Sequence, residues 1–231
     1  MRHAAIVEQN LDAIRGRRIL DIASHDGRWS FAALTAGAKH VTGVEAQGSL
    51  ATSANETMEE YGISPDRYRF IEGDAHKTIE GLPIGGFDTA LCLGFLYHTI
   101  HHMLVLSSIA RLQPQDLIID TGVCLDSDAV VRLAQEDSGR EGTAAKSDYE
   151  TNEWALVGYP SVAALEMMLQ HAGYGQIEFY NWQDHNLADM PTMANYHDGR
   201  RVTLRARKSS EGTWTPRFPI TKHADFKVGP S

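Results

Sequence analysis

Acidic residues that could bind a polar ligand lie at the ends of three strand-like segments. Asp21 lies in the apolar segment RILDIA, Glu45 follows HVTGV 24 residues later, and Asp74 follows a third strand-like segment. In a parallel sheet such positions meet at the carboxyl edge, where nucleotide-like ligands bind. There the two oxygens of Glu45 could accept both hydroxyls of a ribose, and Asp74 could accept a hydrogen bond from an adenine amino group.

The turn after Asp21 favours close approach of such a ligand to the backbone. It consists of small or turn-forming residues, ASHDG, between a strand and a helix. It lacks the GxGxxG pattern that cradles a dinucleotide phosphate, so NAD is not expected as the ligand.

Taken together, these elements resemble the class I S-adenosylmethionine-dependent methyltransferases. The matching stretches are RILDIASHDGRWSFAALTAGAKHVTGVEAQ, FIEGDA and FDTALCLGFLYHTIHH. The resemblance implies S-adenosylmethionine as cofactor, with the methionine amino end at Asp21, the ribose at Glu45, and the adenine at Asp74. The cofactor-binding residues that it implies are Asp21, Ala23, Ser24, Gly27, Glu45, Ala46, Asp74, Ala75, Leu93 and Gly94. The sequence departs from the family at Ala23 and His25, which stand where the family's turn usually has glycine.

Residues after the fourth strand-like segment are candidates for acting on a methyl acceptor. The stretch that follows this strand contains Tyr97, His98, His101 and His102. Since histidine titrates near neutral pH, His98 is a candidate general base, with a purely structural role as the alternative. His101 and His102 either line the pocket mouth or face water. The predicted substrate-binding residues are Tyr97, His101, His102, Tyr149, Glu153, Trp154 and Trp182.

Carboxylates near the fifth strand-like segment could hold a metal ion. Asp120, Asp126 and Asp128 offer the oxygen ligands that Mg²⁺ prefers, but a solvated acidic loop is the preferred interpretation, and Mg²⁺ is not favoured. Cys92 and Cys124 do not form a CxxC pair, so a disulfide framework and a thiolate zinc site are not expected.

Alternating strand-like and helix-like segments predict an α/β, Rossmann-like methyltransferase fold. We expect a seven-stranded, mostly parallel sheet with helices on both faces and a closing antiparallel strand pair. Residues 1–208 form one domain, 124–160 a substrate lid, and 209–231 an extended or disordered tail. The predicted strands are 18–23, 40–44, 68–72, 87–93, 117–123, 176–182 and 201–207, and the predicted helices are 29–36, 49–61, 101–112, 129–135 and 161–172.

The charge balance argues against a nucleic acid as substrate. The 231-residue chain carries a formal net charge of −9, whereas nucleic-acid binding depends on neutralising phosphates. The local positive charges are interpreted as the solvated face of a strand; they are Arg200, Arg201, Arg205, Arg207 and Lys208. The longest apolar run, 90–96, is too short to span a bilayer. Residues 1–12 have no signal-peptide core, so we expect a cytoplasmic protein.

The expected function is methyl transfer to a hydroxyl of a small polar acceptor, such as a saccharide or natural product. A homodimer is left open. Two alternatives remain. FLYHTIHH and the later GYPS distantly resemble tRNA wobble-uridine modifying enzymes, which suggests a tRNA-modifying transferase. The altered glycine turn also permits a cofactor-binding, non-catalytic subunit of a partner.

Overall fold

The computed structural model describes residues 1–139, 154–187 and 190–209, which form an α/β fold. The strands are β1 (Arg18–Ile22), β2 (His40–Glu45), β3 (Tyr68–Glu72), β4 (Thr89–Leu93), β5 (Asp116–Gly122), β6 (Val131–Asp137), β7 (Trp154–Pro160), β8 (Tyr174–Phe179) and β9 (Arg201–Lys208). The α-helices are α1 (Arg2–Ile6), α2 (Leu11–Ile14), α3 (Arg28–Thr35), α4 (Gly48–Glu60), α5 (Ala75–Glu80), α6 (His102–Arg111), α7 (Val162–His171) and α8 (Ala194–His197).

Seven strands form the main sheet, in the order β3-β2-β1-β4-β5-β9-β8. Strands β1 to β5 are parallel, while β9 is antiparallel to both of its neighbours. All residues of β4 and β5 are buried, which is typical of parallel strands covered by helices on both faces. The predicted mostly parallel sheet with a closing antiparallel pair is therefore confirmed.

Apolar clusters lie on the two faces of this sheet. One packs α6 and α7 residues, such as Leu106 and Leu165, against Leu20 and Ile119. The other packs Leu34 of α3 and Met58 of α4 against strand residues of the opposite orientation. Because side chains alternate along a strand, each central strand contributes to both clusters, and this holds the carboxyl ends of the strands in fixed relative positions.

Strands β6 and β7 form a separate antiparallel hairpin within the predicted lid. The helix predicted at 129–135 is wrong, because residues Val131–Asp137 pair along their whole length with β7. The physical reason is nonlocal: backbone pairing with a distant segment outweighs the weak helical preference of this stretch. The lid function of 124–160 stays a prediction, and residues 140–153 and the tail from 210 lie outside the described part.

Two arginines of β9 are not the solvated face that the sequence suggested. Arg201 bonds to Asp120 with 16% of its side chain exposed, and Arg205 bonds to Asp116 and Asp12 with 11% exposed. They alternate along the strand as predicted, but their common side faces carboxylates of the neighbouring β5 and of α2. The prediction failed because these partners are remote in sequence.

No α-helix in the described part of the chain is long and apolar enough to cross a membrane.

Asp120 is a fully buried carboxylate of β5 that joins several elements. It accepts hydrogen bonds from Arg2, Arg201, Tyr196 and Thr203. Asp120→Ala should lower the free energy of unfolding by about 3 kcal/mol, because it leaves the guanidinium of Arg201 buried without its counter-charge. Chemical denaturation followed by circular dichroism measures this change.

The matched control is Asp12→Ala, which removes a carboxylate whose side chain is 69% exposed from the Arg205 pair. Because Asp12 itself is largely exposed and Arg205 keeps Asp116, the expected loss is below about 1 kcal/mol. Equal losses in the two variants would show that Asp120 has no special role.

Candidate functional site

The turn between β1 and α3 has three residues in the left-handed region of backbone conformation. The φ angles are 53° at Ala23, 54° at His25 and 75° at Gly27. At Gly27 a side chain would also collide with helix α4, because a Cβ atom would lie 2.8 Å from the Cβ of Ala54. The chain therefore keeps a glycine-type turn although two of its three left-handed positions are not glycine, at some cost in strain.

Glu45 is held at the carboxyl edge by this turn. Its Oε2 accepts the backbone N–H of His25 at 2.8 Å, and its Oε1 accepts that of Gln47 at 2.9 Å. The carboxylate is 7% exposed. Each oxygen keeps further acceptor capacity, so Glu45 is fixed in place and still able to accept a pair of neighbouring hydroxyls.

Asp21 lies deeper below the same turn. It is 1% exposed, and the hydroxyl of Ser30 donates to its Oδ2 at 2.6 Å. Burial raises the pKa of Asp21 to about 7; the Ser30 hydrogen bond opposes this rise and the neighbouring Glu45 adds to it. The Asp21 carboxyl is thus half ionised near neutral pH and would be stabilised as an anion by an approaching cation.

Asp74 and Ala75 lie where β3 leads into α5. The Oδ1 of Asp74 accepts the backbone N–H of Lys77 at 3.2 Å and so caps the helix. The preceding Gly73 donates its N–H to the carbonyl oxygen of Glu45 at 2.8 Å. The ends of β2 and β3 are therefore tied together, which places Asp74 beside Glu45.

Gly94 lies where β4 ends. Its φ is 87°, and its N–H donates to the carbonyl oxygen of Asp120 at 2.7 Å. A Cβ atom at this position would lie 3.3 Å from a terminal nitrogen of Arg201. This glycine therefore lets the backbone approach the guanidinium of Arg201 closely.

A cavity of about 990 Å³ opens between the ends of β4, β5 and β9 and the hairpin. Tyr97 and Tyr159 form part of its wall, with their rings stacked at 5.4 Å. The described residues that line it are Tyr97, His98, Gly122, Val123, Cys124, Leu125, Arg132, Ala134, Glu136, Tyr159, Asn195, Arg200 and Arg201. Its size and mixed lining suit a small polar molecule.

Within this cavity, His98 is paired with Glu136 of β6. Its Nδ1 lies 2.5 Å from Oε2 of Glu136, so Nδ1–H donates to the carboxylate and Nε2 keeps a free lone pair. Burial lowers the pKa of His98, an effect that Glu136 partly opposes. The imidazole is therefore neutral at pH 7 and oriented, which are the properties required of a general base.

Comparison with known proteins identifies the domain. A family model described as a methyltransferase domain matches residues 19–114. The N-terminal domain of EvdMO1, solved in the presence of SAH and D-fucose, superposes with a TM-score of 0.68 at 19% identity, covering 87% of this chain and 81% of that one. An S-adenosylmethionine-dependent methyltransferase from Mesorhizobium loti gives a TM-score of 0.61 at 15% identity, covering 87% and 96%. Residues 19–114 therefore carry a methyltransferase domain, and the fold is that of the class I S-adenosylmethionine-dependent methyltransferases.

Curated relatives of this methyltransferase carry a more specific name. A tRNA U34 carboxymethyltransferase of Pseudomonas aeruginosa (strain LESB58) is 30% identical over 168 residues, which cover 70% of this chain and 46% of that protein. Another, of Shewanella sediminis (strain HAW-EB3), is 29% identical over 235 residues, covering 94% and 61%. The chain thus spans about half the length of the curated relatives it matches.

The residues at the carboxyl edge fit S-adenosylmethionine. The fixed carboxylate of Glu45 suits the ribose hydroxyls, Asp74 and Ala75 suit the adenine, and buried Asp21 suits the methionine ammonium group. The hydroxyl of Ser24 is buried and has no hydrogen-bond partner among the described residues. The individual assignments of all ten cofactor-binding residues stay predictions.

The structure separates the predicted substrate-binding residues into groups. Tyr97 and the proposed base His98 line the cavity, whereas Trp154 is 56% exposed near the start of β7. His102 is 3% exposed and bonds to the carbonyl oxygen of Gly158 at 3.0 Å, so it anchors the hairpin and cannot face a pocket mouth. His101 is exposed beside the ring of His76, at 5.6 Å.

Trp182 lies apart from the cavity, and its role in substrate binding stays a prediction. Trp182 is 4% exposed, packs against Ala5, Met193 and Tyr196, and does not line the cavity described above. It follows β8 in a short 3₁₀ turn and not in the strand predicted for 176–182. Tyr149 and Glu153 lie outside the described residues.

The three aspartates considered for a metal ion have different environments. Both oxygens of Asp120 already accept hydrogen bonds from arginine and hydroxyl donors. Asp120 is therefore neither part of a solvated loop nor available as a metal ligand. Asp126 and Asp128 are exposed, and Asp126 accepts the backbone N–H of Asp128. Among described residues, no group of three His, Cys, Asp or Glu side chains is placed to hold a metal ion.

Sequence reasoning missed several cavity residues. Glu136 and Tyr159 come from the hairpin, and Arg132, Asn195 and Arg200 were not connected with the acceptor. Glu136 could be found only through the pairing of β6 with β7, since it lies 38 residues from His98. The cluster of arginines around 200 was a visible signal, but its orientation depends on tertiary contacts.

The strained turn gives a stability prediction. Ala23→Gly should raise the free energy of unfolding by about 1 kcal/mol, because glycine adopts the left-handed conformation without the penalty paid by alanine. Urea denaturation measures the change. The same substitution at Ala36, where φ is −72°, should instead lower stability by about 1 kcal/mol. Destabilisation by both substitutions would contradict strain at Ala23.

The raised pKa of Asp21 predicts pH-dependent binding of S-adenosylhomocysteine. The carboxyl is largely protonated below pH 7 and ionised above it, and only the anion attracts the ligand's ammonium group. Affinity measured by calorimetry should therefore rise about tenfold between pH 6 and pH 8. In Asp21→Asn the rise should be absent and binding weaker throughout. An unchanged pH dependence in that variant would exclude Asp21 as its source.

Proposed function

We propose that the protein transfers a methyl group from S-adenosylmethionine to a hydroxyl of a small polar acceptor, such as a saccharide or natural product. The pair formed by His98 and Glu136 inside the 990 Å³ cavity carries this proposal. A hydroxyl is a weak nucleophile until its proton is removed, so its methylation benefits from a neutral, oriented imidazole.

The cofactor supplies an electrophilic methyl group on a sulfonium sulfur. On the protein side, the acceptor hydroxyl would lie in the cavity and would give its proton to Nε2 of His98 as the methyl group passes from the sulfonium sulfur to its oxygen, which leaves S-adenosylhomocysteine. The resulting imidazolium is stabilised by Glu136, whose carboxylate accepts the Nδ1–H bond. The two stacked tyrosines restrict water on one side of this position.

Tyr159 is a weaker candidate for the base. Burial first and the nearby Glu136 second raise its pKa to about 12, so its hydroxyl stays protonated at neutral pH. It serves as a hydrogen-bond donor, and its hydroxyl already donates to Oε1 of Glu136 at 3.4 Å.

A second candidate function is carboxymethyl transfer to tRNA, the activity for which the curated relatives are named. One structural observation favours it. The positive Arg201 lies against Gly94 at the end of β4, and a cation there suits a negatively charged transferred group. The net charge of −9 speaks against RNA binding by this chain alone.

The two candidates are separated by a transfer assay with two labelled donors: S-adenosylmethionine, and its analogue in which the transferred methyl carbon bears a carboxylate, since methyl transfer alone cannot place a carboxymethyl group on tRNA. One arm offers hydroxylated sugars and phenols, and the other offers unmodified tRNA. Label in the small molecules supports the proposed function. Modification of tRNA without labelling of any small acceptor would replace it with the second candidate.

The base hypothesis predicts a specific loss in the His98→Ala variant. Turnover should fall by roughly 10²-fold or more, and affinity for S-adenosylhomocysteine should be nearly unchanged. Because the pKa of His98 is lowered, wild-type turnover should rise with pH below 6.5 and level off above it. The variant should lack this acidic limb.

Two further variants test the same pair. Glu136→Gln removes the charge that raises the pKa of His98, so the acidic limb should move to lower pH while turnover falls. His171→Ala removes an exposed histidine at the end of α7, away from the cavity lining, and should behave like the wild type. A His98→Ala variant that loses thermal stability and cofactor binding together with activity would indicate a structural histidine.

A further inference from the structure

The charges around the acceptor cavity are unequal. The described lining residues include the arginines Arg132, Arg200 and Arg201 but only one carboxylate, that of Glu136. The whole chain has the opposite sign, with a net charge of −9. Positive charge is therefore concentrated at this cavity in an otherwise acidic protein.

Part of this charge is already neutralised inside the protein. Arg201 lies 2.5 Å from Asp120, and Glu136 interacts with His98 and Tyr159. Arg132 and Arg200 are exposed, and neither takes part in an ion pair or a side-chain hydrogen bond within the described part of the chain. Among the described residues, these two positive charges at the rim of the cavity are thus not neutralised.

The backbone fixes the positions from which these two side chains extend. Arg132 lies opposite Tyr159 in the hairpin and shares its inner face with Glu136. The backbone carbonyl oxygen of Arg200 accepts the N–H of Val123 at 2.8 Å, and the backbone N–H of Arg200 donates to the carbonyl oxygen of Asn195 at 2.7 Å. One arginine comes from the hairpin and the other from the segment before β9, and both border the same cavity.

Guanidinium groups bind phosphate and carboxylate through paired, charge-assisted hydrogen bonds. A neutral sugar gains little from two such cations. We propose that the acceptor carries an oxyanion, a phosphate ester or a carboxylate, in addition to its reactive hydroxyl, and that Arg132 and Arg200 bind this oxyanion. The inference rests on the proposed function, which makes this cavity the acceptor site.

The cavity favours a small anion over the backbone of an RNA chain. Its volume of about 990 Å³ falls within the range of small-molecule sites. An RNA-binding surface would be expected to extend beyond one cavity as a broader basic stripe. Phosphodiester binding by the same arginines is nevertheless an outcome that the experiment has to detect.

The test measures binding of two simple anions to the full chain saturated with S-adenosylhomocysteine. Inorganic phosphate is followed by ³¹P line broadening and ¹³C-labelled acetate by ¹³C line broadening. At least one of them should bind saturably, and the better ligand identifies the class of oxyanion. In the double variant Arg132→Gln/Arg200→Gln its affinity should fall by about tenfold or more.

Arg17→Gln is the matched control, since Arg17 is exposed and precedes β1 at the opposite edge of the sheet; it should bind like the wild type. Unchanged affinity in the double variant, or no saturable binding of either anion, would overturn the inference. Loss of tRNA binding in the double variant without any loss of small-anion binding would also overturn it. Neither phosphate nor acetate has to be methylated in this test. The outcome of the binding measurement can therefore be judged even if the methyl-transfer assay fails.

Discussion

The buried carboxylate of Asp120 holds together the elements around both halves of the site. Its two oxygens accept donors from α1, α8 and β9, through Arg2, Tyr196, Arg201 and Thr203. Burial alone would lower the pKa of Arg201, but the adjacent Asp120 outweighs this effect and the pKa is raised. Arg201 is thereby kept charged beside Gly94 and Tyr97. A buried charge pair of this kind adds little net stability, but removing one partner strongly lowers the free energy of unfolding. The pair therefore fixes the relative positions of the elements that it joins.

The placement of three carboxylates at one edge of the sheet could be predicted from sequence because its determinants are local. Asp21, Glu45 and Asp74 follow from apolar strands that end in acidic residues, and the sheet order brings their ends to one edge. The departure from glycine at Ala23 and His25 changes less than the sequence suggests, since both residues adopt the same left-handed conformation as Gly27. The conformation of the turn is held by its surroundings, including the hydrogen bond from the N–H of His25 to Glu45. The backbone is locally strained as a result.

The acceptor half depends on contacts that no local pattern contains. The β6 segment has no strong periodicity and becomes a strand only because β7 pairs with it, so Glu136 cannot be placed near His98 in advance. Likewise, Arg201 and Arg205 alternate as a solvated strand face would, and only the neighbouring β5 shows that they face Asp120 and Asp116. Whether a charged side chain on a strand faces solvent or an ion-pair partner depends on which strand lies next to it. The order of strands in the sheet is a property of the whole fold.

The hairpin links acceptor binding to the proposed chemistry. It is anchored by the bond from buried His102 to the carbonyl oxygen of Gly158, and its inner face presents Arg132, Glu136 and Tyr159 to the cavity. The partner of the proposed base and one of the proposed oxyanion-binding arginines therefore lie on the same strand, four residues apart. A ligand that draws Arg132 toward the cavity acts on the strand that also positions Glu136 against His98. If Arg132 binds the oxyanion of the acceptor as proposed, acceptor recognition and orientation of the base involve the same strand, and we expect an acceptor that lacks the oxyanion to lose catalysis as well as affinity.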